Sequence, residues 1–519
     1  MKFGDLYLDL RRPEYVPTVE IVISELVGQL INVGSECWVQ PRESQGEQVP
    51  SQKSIGLVYE SMDEALQKRI EIVQTRPLEE SLTRWLREIE HCGFVLEDAR
   101  EELPFGDALF DSLRGPKARD AKRRIVLPMS PALAVLQDAR GLSGRENPPN
   151  TATIVEQIYR LGAESTEERS LAVEKLWSAM HQLLVNDPLL RAINESILRG
   201  VLPPEISTSL STVNQARFMQ LSSRLERDLP NPLDFPTNPF RWFHVSLNRL
   251  TSPEWTSSMS SRRWLAWATS LIRTGVGFAY LWEARWYETL AREVIGLSDD
   301  PSRIPRDSHQ LCADIVLSPT VHWLERTRGV SDKDISSKLK KLVYRGTGIN
   351  RTLDAYFSAL KKRDHTLLEV SFVEGLKILA GDKELVEQLR MVWDGAAPDK
   401  SKNSWEFVRY LLMSRSNDVD QSRSESAEQR DFYGLFRKSG SRYLFVDPST
   451  EWVAVVASLA RLSPTSSSTL AAVLDDMRRL GLQPSVDTLT EYLEVAGLAR
   501  SAPDADIGIR VASAFGGAA

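Results

Sequence analysis

Residues 240–297 read FRWFHVSLNRLTSPEWTSSMSSRRWLAWATSLIRTGVGFAYLWEARWYETLAREVIGL, and this stretch decides the fold. It carries six of the 13 tryptophans of the chain, at positions 242, 255, 264, 267, 282 and 286. From Trp264 onward, apolar residues recur in steps of three, four and seven, which is the period of a helix. Because an aromatic side chain buries about 150–250 Å², we expect a pair of helices here to form the core on which other elements pack.

Glycines and arginines interrupt this aromatic pattern. Gly275 and Gly277 lie midway along it and predict either a break or a close approach of another helix. The arginines predict a charged face opposite the aromatic one: Arg262, Arg263, Arg273 and Arg285. Since an arginine in the middle of an apolar span is costly in lipid, the span predicts a buried helix and not a membrane crossing.

The composition bounds the size and class of the protein. A chain of 519 residues, 42% of them apolar, is expected to form about three or four domains with sizeable cores. The net charge of −7 excludes a globally basic nucleic-acid binder, so any such site must be a local patch. The isolated residues Cys37, Cys92 and Cys312 form no CxxC pair and fit a reducing compartment. The N-terminus lacks the apolar segment of a signal peptide, so a cytoplasmic location is predicted.

The predicted fold class is mainly α, with several domains. Shifts in composition define four regions: a mixed α/β region at 1–140, a tryptophan-rich helical core at 154–297, a basic helical region at 310–413, and a hairpin plus winged helix at 430–519. Polar or proline-rich linkers are predicted between them, at 141–153, 298–308 and 414–431.

The first region mixes strand and helix patterns. Short strands are predicted at 55–59 and 125–127, and amphipathic helices at 62–75 and 78–91. Residues 114–124 contain six basic residues and a single aspartate. We interpret this run as a solvated loop, and contact with phosphate groups is the alternative.

The third region contains the most basic part of the chain. Residues 326–363 hold eleven lysines and arginines against three aspartates. Apolar residues at helical spacing predict two helices, which Gly346-Thr347-Gly348 separates. Basic residues on the exposed sides of both helices could track a phosphate backbone. The candidate nucleic-acid-binding residues are Lys338, Lys341, Arg345, Arg351, Lys361, Lys362 and Arg363.

The last region has the element order of a winged helix. The pattern predicts a β-hairpin within 433–446, helices at 448–462, 468–480 and 485–496, and a strand at 507–511. In a DNA-reading module the third helix offers basic or amide side chains to the bases. Here that helix carries Asp487, Glu491 and Glu494 and no basic residue. We therefore expect the module to fold independently and to dock on a protein partner.

No motif for catalysis or cofactor binding is present. The P-loop, HExxH, GxSxG and kinase motifs are absent from the sequence. His91-Cys92 favours a helix end with a capping histidine over a metal or nucleophile site. Glu325 and His365 could do acid–base work if the fold brought them together. No catalytic residue, metal or cofactor is therefore assigned.

Two segments resemble one group of proteins. They are the aromatic segment (RWFHVSLNRLTSPEW, SRRWLAWATSLIRTG and FAYLWEARWYETLA) and the C-terminal segment (YGLFRKSGSRYLFVDPSTEW and TLAAVLDDMRRLGLQPSVDTLTEYLEVAGLA). Together they are similar in style to helical, non-ATPase accessory subunits of bacterial anti-phage defence and DNA-restriction systems. The resemblance implies a subunit that works beside an ATPase or nuclease encoded elsewhere, and it assigns no catalytic residue.

The expected function is that of a non-catalytic subunit that binds DNA or acts as a scaffold in a bacterial multi-protein complex. Its expected partners are protein subunits, such as an ATPase or nuclease, and duplex DNA bound through the basic helices, with no membrane among them. One alternative is a scaffold that binds only proteins. Another is an enzyme whose site is built from scattered residues such as Glu325 and His365.

Overall fold

The computed structural model describes the chain in segments. They are residues 2–8, 10–13, 19–32, 57–61, 68–72, 113–117, 123–135, 151–165, 168–200, 204–226, 238–297, 332–395, 401–413, 433–439, 443–499 and 509–515. Over these residues the chain is mainly helical, as predicted. None of the described helices combines the length and the apolar character that a membrane crossing requires.

The described helices and strands are numbered here in chain order. The helices are α1 (Val19–Asn32), α2 (Pro131–Val135), α3 (Thr151–Leu161), α4 (Ala172–Asn186), α5 (Pro188–Gly200), α6 (Pro204–Ser211), α7 (Gln215–Glu226), α8 (Pro239–Leu250), α9 (Pro253–Ser257), α10 (Ser261–Val294), α11 (Asp332–Arg363), α12 (Phe372–Gly381), α13 (Lys383–Trp393), α14 (Ser401–Leu412), α15 (Thr450–Leu459), α16 (Leu470–Arg479) and α17 (Val486–Val495). The strands are β1 (Leu57–Ser61), β2 (Lys68–Ile72), β3 (Arg114–Lys117), β4 (Arg123–Val126), β5 (Phe436–Ser439), β6 (Tyr443–Val446), β7 (Ser468–Thr469) and β8 (Arg510–Val511). Short 3-10 helices lie at Phe3–Leu6 and His365–Glu369.

The core is organised around α10, the longest of the described helices. Ser260 caps its first turn, because its hydroxyl accepts a hydrogen bond from the Arg263 backbone N–H at 3.4 Å. All six tryptophans of the aromatic stretch are at most 1% exposed. Four belong to α10, while Trp242 lies on α8 and Trp255 on α9. The prediction of an aromatic core is confirmed, although three helices supply it and not two.

The glycines of α10 mark close approaches of other helices. Helix α10 runs without interruption from Ser261 to Val294. A Cβ atom added to Gly275 would lie 2.5 Å from the Phe243 ring of α8, and one added to Gly277 would lie 2.7 Å from Leu412 of α14. Of the two outcomes predicted for this pair, the structure therefore shows the close approach and not the break.

Arg273 corrects the prediction of a charged face along α10. Its side chain is 1% exposed. Its Nε donates to the Leu411 carbonyl at 2.9 Å, and its Nη2 donates to the Met413 carbonyl at 2.6 Å. These carbonyls lie at the end of α14, where a helix has no backbone partners for its last oxygens. The charge of Arg273 is thus accommodated by a helix end inside the protein, and not by solvent.

The basic region forms one helix, which corrects the prediction of two. Helix α11 continues through Gly346, Thr347 and Gly348. A Cβ atom on Gly346 would lie 2.6 Å from the Ala284 Cα of α10. Glycine is required there by the close packing of the two longest described helices, and the helix does not end. From the local sequence alone, the glycines predict the end of a helix, because the helix that packs against Gly346 is distant in the chain.

The strands of the N-terminal region form an antiparallel sheet in the order β2-β1-β4-β3. The helix predicted at 62–75 is wrong over residues 68–72, because these form β2 and pair with β1. The apolar alternation in KRIEI suits a strand once a partner strand is present. The prediction of a single loop over the basic residues 114–124 is wrong, because the two ends of this stretch belong to β3 and β4, which pair with each other. The helix predicted at 78–91 lies outside the described residues.

The C-terminal region places a hairpin and three helices against the core. The hairpin pairs β5 with β6, and α15, α16 and α17 follow where three helices were predicted. Strand β7, which lies just before α16, pairs with β8. Trp452 of α15 donates from its indole Nε1 to Thr274 Oγ1 of α10 at 3.0 Å. Phe515 packs against Trp255 and Trp267, with ring centroids 5.6 and 5.2 Å apart, so this region shares the aromatic core.

Candidate nucleic-acid interface

Helix α11 is buried in its middle and exposed near both ends. All residues from 346 to 350 are buried, and the neighbouring elements are α10, α13, α14 and β6. Exposed positions occur at 337–341, with the exception of Leu339, and again from 354 onward. The basic side chains are therefore divided between the two ends of one helix, and the buried middle lies between them.

The structure places the seven candidate residues in three kinds of surroundings. The exposed residues are Lys338, Lys341, Lys361, Lys362 and Arg363. Arg351 is half-buried, and Arg345 is held inside the protein by Glu288 and Trp393. Lys340, which the spacing in the sequence did not select, is also exposed and lies over the Tyr344 ring at 5.3 Å.

Arg345 belongs to the interior and not to the exposed surface. Its guanidinium pairs with Glu288 Oε1 of α10 at 2.5 Å, and only 13% of its side chain is exposed. The same group lies 4.0 Å from the centroid of the Trp393 ring and donates to the Trp393 carbonyl at 3.2 Å. Glu288 also accepts from Arg285 at 2.5 Å. Because these hydrogen bonds join Arg345 to α10 and to α13, its side chain fixes α11 in place.

The sequence carries a signal for the position of Arg345. This residue lies three positions after Leu342 and four before Ile349, and both of these are buried. Residues at such spacings share a helix face. Arg345 therefore borders the apolar face, and its step of four from Lys341 does not by itself place it on the solvent side.

Carboxylates near the C-terminal end of α11 reduce its positive charge. Asp354 is exposed within the helix, and Asp364 follows Arg363 directly. Hydrogen bonds from the hydroxyl and the backbone N–H of Thr366 hold the pKa of Asp364 below its usual value. Asp364 therefore stays ionised at neutral pH and offsets one of the three charges at positions 361–363.

The structure describes only one member of the acid–base pair considered above. His365 is exposed at the start of the 3-10 helix that follows α11. Glu325 lies outside the described residues, as do His91 and Cys92. Within the part of the chain that the structure describes, no group of three or more His, Cys, Asp or Glu side chains is arranged to hold a metal ion.

Buried ionisable groups with shifted pKa values hold helices together. Burial raises the pKa of Glu156 to about 7, and its two oxygens accept the Ala172 and Val173 backbone N–H groups at 2.8 Å each, at the start of α4. Burial lowers the pKa of His244 to about 4, and its Nδ1 lies 3.0 Å from the Tyr159 carbonyl. Both side chains are enclosed, so neither offers an accessible acid or base to a substrate.

A buried ionic network joins the N-terminal segment to both long helices. Arg12 Nη1 lies 2.7 Å from Glu283 Oε2 of α10, and Arg12 Nε donates to Asn350 Oδ1 of α11 at 3.3 Å. Burial opposes the charge on Arg12, but Glu283, Tyr280 and Tyr287 together outweigh burial and raise the pKa of Arg12. Trp286 of α10 also donates from Nε1 to the Leu6 carbonyl at 3.0 Å. The N-terminal segment is thus part of the anchoring of α10 and α11.

Comparisons with protein-family models, with curated proteins and with solved structures found no match for this chain. The geometry of the described residues is therefore the basis for a functional assignment. Among the described residues, the exposed basic side chains of α11 are the strongest candidate for a binding surface.

Proposed function

We propose that this protein is a non-catalytic DNA-binding subunit of a multi-protein complex, and that α11 is its contact with DNA. The observation that carries this proposal is the exposure of basic side chains on a helix whose middle is fixed in the core. Lysines and arginines on such a helix can neutralise phosphates without first ordering a flexible segment. Contacts to phosphates carry no sequence information, so the affinity is expected to be independent of sequence.

Charge reversal on α11 tests the proposal. The triple variant Lys341→Glu, Arg351→Glu and Lys362→Glu should bind duplex DNA far more weakly than the wild type. Each neutralised phosphate contributes about 0.9 to the slope of log affinity against log salt, so the loss of three contacts should make the slope shallower by about 2.7. Fluorescence anisotropy with a labelled duplex of mixed sequence, measured over a range of salt, gives both quantities.

A matched control reverses three basic residues elsewhere. Arg199, Lys377 and Lys383 are exposed residues of α5, α12 and α13, so their replacement by Glu changes the net charge equally. The control should keep the wild-type salt slope, and thermal melts verify that both variants are folded. Unchanged binding by the α11 variant would reject the proposal, as would an equal loss in both variants.

A second candidate function is protein interaction through the C-terminal region. The order helix, strand, helix, helix, strand in α15, β7, α16, α17 and β8 supports a winged-helix module. Helix α17 exposes Asp487, Glu491 and Val495, and the last is 67% exposed. Their spacing of four places them on one face. That face would repel phosphates, whereas it complements a protein surface with basic and apolar groups.

Charge reversal on α17 tests this second candidate. The variant Asp487→Lys with Glu491→Lys should lose proteins that co-purify with the wild type, and affinity purification with mass spectrometry measures that loss. Duplex binding by the whole protein should stay the same or rise, because two carboxylates that repel phosphates are replaced by two ammonium groups that attract them. Retention of every partner would exclude this face as the docking surface.

The cellular setting belongs to the same proposal. The resemblance of the aromatic and C-terminal segments to accessory subunits of bacterial anti-phage defence systems supports a cytoplasmic complex that contains an ATPase or nuclease. Affinity purification from the native host should recover such an enzyme. Recovery of the protein alone under gentle conditions would argue against a defence complex.

A further inference from the structure

The accessible basic residues of α11 form two groups, one on each side of its buried middle. The N-terminal group consists of three exposed lysines within about one helical turn: Lys338, Lys340 and Lys341. The C-terminal group consists of the half-buried Arg351 and three exposed residues: Lys361, Lys362 and Arg363. Residues 346–350 lie between the two groups and are all buried. A straight duplex therefore cannot lie along α11 and contact both groups.

Each group has an excess of positive charge of its own. Residues 332–341 of the helix contain four lysines against two aspartates, an excess of two. Residues 351–364 contain four basic residues against two aspartates, which is the same excess. Because binding of cationic side chains to phosphates releases counterions, each group can hold a segment of DNA backbone without help from the other.

The C-terminal group lies on a side of the helix that DNA can approach. Arg351 and Lys362 lie within about 20° of one another around the helix axis and about 16 Å apart along it. Small residues are exposed between them on this side: Ala355, Ser358 and Ala359. A phosphate backbone can therefore meet both cations without displacing a large side chain.

The distance between the two groups is fixed by the packing of α11. Gly346 lies against Ala284 of α10, so the middle of the helix is held at backbone level. Near the C-terminal end of the helix, the Phe357 ring packs against Phe3 and Tyr7 at centroid distances of 5.1 and 5.5 Å. About 15 Å of helix, at about 1.5 Å per residue, separates the nearest members of the two groups. The groups therefore cannot move together onto one short stretch of DNA.

We infer that the protein holds two separate segments of duplex DNA, one at each end of α11, an inference that rests on the proposed function. Each group attracts phosphates by its own charge, and the buried middle keeps a straight segment at one end from reaching the other. Two short duplexes can occupy the two ends at once, so a single copy of the protein bridges them. A duplex much longer than the persistence length of about 150 base pairs can fold back and supply both segments itself. Its affinity then includes the contacts of both ends.

A capture assay with two short duplexes tests this inference. One biotinylated duplex of about 30 base pairs, too short to fold back on itself, is held on beads. A fluorescent duplex of the same length and of unrelated sequence is then added together with the protein. The fluorescence on the beads measures bridging, and anisotropy of the fluorescent duplex measures binding. The wild type should capture the fluorescent duplex, and a large excess of protein should abolish capture, because each duplex then binds its own copy.

Variants of the two ends show whether both are needed. The N-terminal variant is Lys338→Glu with Lys341→Glu, and the C-terminal variant is Lys361→Glu with Lys362→Glu. Each should still bind one duplex through its intact end, whereas capture of the second should fall to the level without protein. The control, Lys377→Glu with Lys383→Glu, reverses two exposed lysines of α12 and α13 and should capture as the wild type does. Thermal melts verify that all three variants are folded.

The outcomes separate this inference from the proposed function. Binding of a duplex by the wild type without capture of a second would overturn the inference and leave the proposed function intact. Capture that persists in either end variant would also overturn the inference, because one end would then suffice. Restored capture in a mixture of the two end variants would do the same, since association between copies would then join the duplexes. Absence of duplex binding by the wild type would reject both.

Discussion

The two longest described helices lie side by side, and they differ in what they bury. Helix α10 has 34 residues and is buried along nearly its whole length. Helix α11 has 32 residues, and over 337–363, where burial is described, its longest continuous buried run is 346–350. The most aromatic helix is therefore the scaffold of the protein, whereas the helix beside it exposes basic side chains on either side of its buried middle.

Polar groups on the two helices have different partners. On α10, Trp264 donates from Nε1 to the Leu250 carbonyl at 3.0 Å, and Arg273 binds carbonyls at the end of α14. On α11, Lys341 and Lys362 are exposed to solvent. Exposed charges contribute little to stability. Substitutions on α10 should therefore affect folding, and those on the exposed side of α11 should affect binding.

Truncation of a buried tryptophan should have the largest effect. Trp282 is 1% exposed, stacks on Trp286 at a centroid distance of 5.7 Å and meets the edge of Phe240. Trp282→Ala should lower the free energy of unfolding by about 3–5 kcal/mol, because it leaves a cavity in the core. Trp282→Phe, which keeps a ring, should cost less. A chemical denaturation midpoint unchanged in Trp282→Ala would contradict the role of α10 as the scaffold.

Breaking the buried network between the helices should have the next largest effect. Arg12→Met leaves the Glu283 carboxylate buried without its guanidinium partner. Breaking a buried ion pair costs about 3–5 kcal/mol. The loss of stability should lie near the lower value, about 3 kcal/mol, because 21% of the Arg12 side chain is exposed to solvent. The double variant Arg12→Met with Glu283→Leu removes both charges. It should be more stable than Arg12→Met alone by at least about 1 kcal/mol. A double variant as unstable as the single one would mean that the contact is not a charge pair.

A methyl group added between the two helices tests their close packing. Gly346→Ala places a Cβ atom 2.6 Å from the Ala284 Cα and should cost about 1–3 kcal/mol through overpacking. The matched control is Gly28→Ala in α1, where nothing lies within 4 Å of the added atom. The control should be stabilised by about 0.5–1 kcal/mol, because alanine favours a helix. The melting temperatures of the two variants should therefore shift in opposite directions from that of the wild type.

The aromatic core could be predicted from the sequence because its signal is local. Trp264, Trp267, Trp282 and Trp286 follow the helical period within one segment. The continuity of α11 could not be predicted in the same way. The reason for Gly346 is Ala284, which lies in another helix, so a glycine that serves packing is indistinguishable locally from one that ends a helix.

Prediction of the candidate site was limited by the same dependence on distant partners. The charge of Arg345 suggested a surface role, but its partners Glu288 and Trp393 come from α10 and α13. Strand β2 likewise depends on its pairing with β1. Lys338 and Lys341 could be placed on the exposed side of α11 because exposure needs no distant partner, but the same spacing did not select Lys340, which is also exposed.

The smallest expected change in stability separates the two kinds of basic residue on α11. Lys341→Ala should change the free energy of unfolding by no more than about 0.5 kcal/mol, because the side chain is exposed. It should make the salt slope of duplex binding shallower by about 0.9. Arg345→Ala should do the reverse: it leaves the buried Glu288 with one cationic partner fewer and should cost about 1–3 kcal/mol, with the slope unchanged. Chemical denaturation and anisotropy at several salt concentrations measure both quantities for both variants. A slope lowered equally by Arg345→Ala would mean that this guanidinium reaches phosphate, and its assignment to the interior would then be wrong.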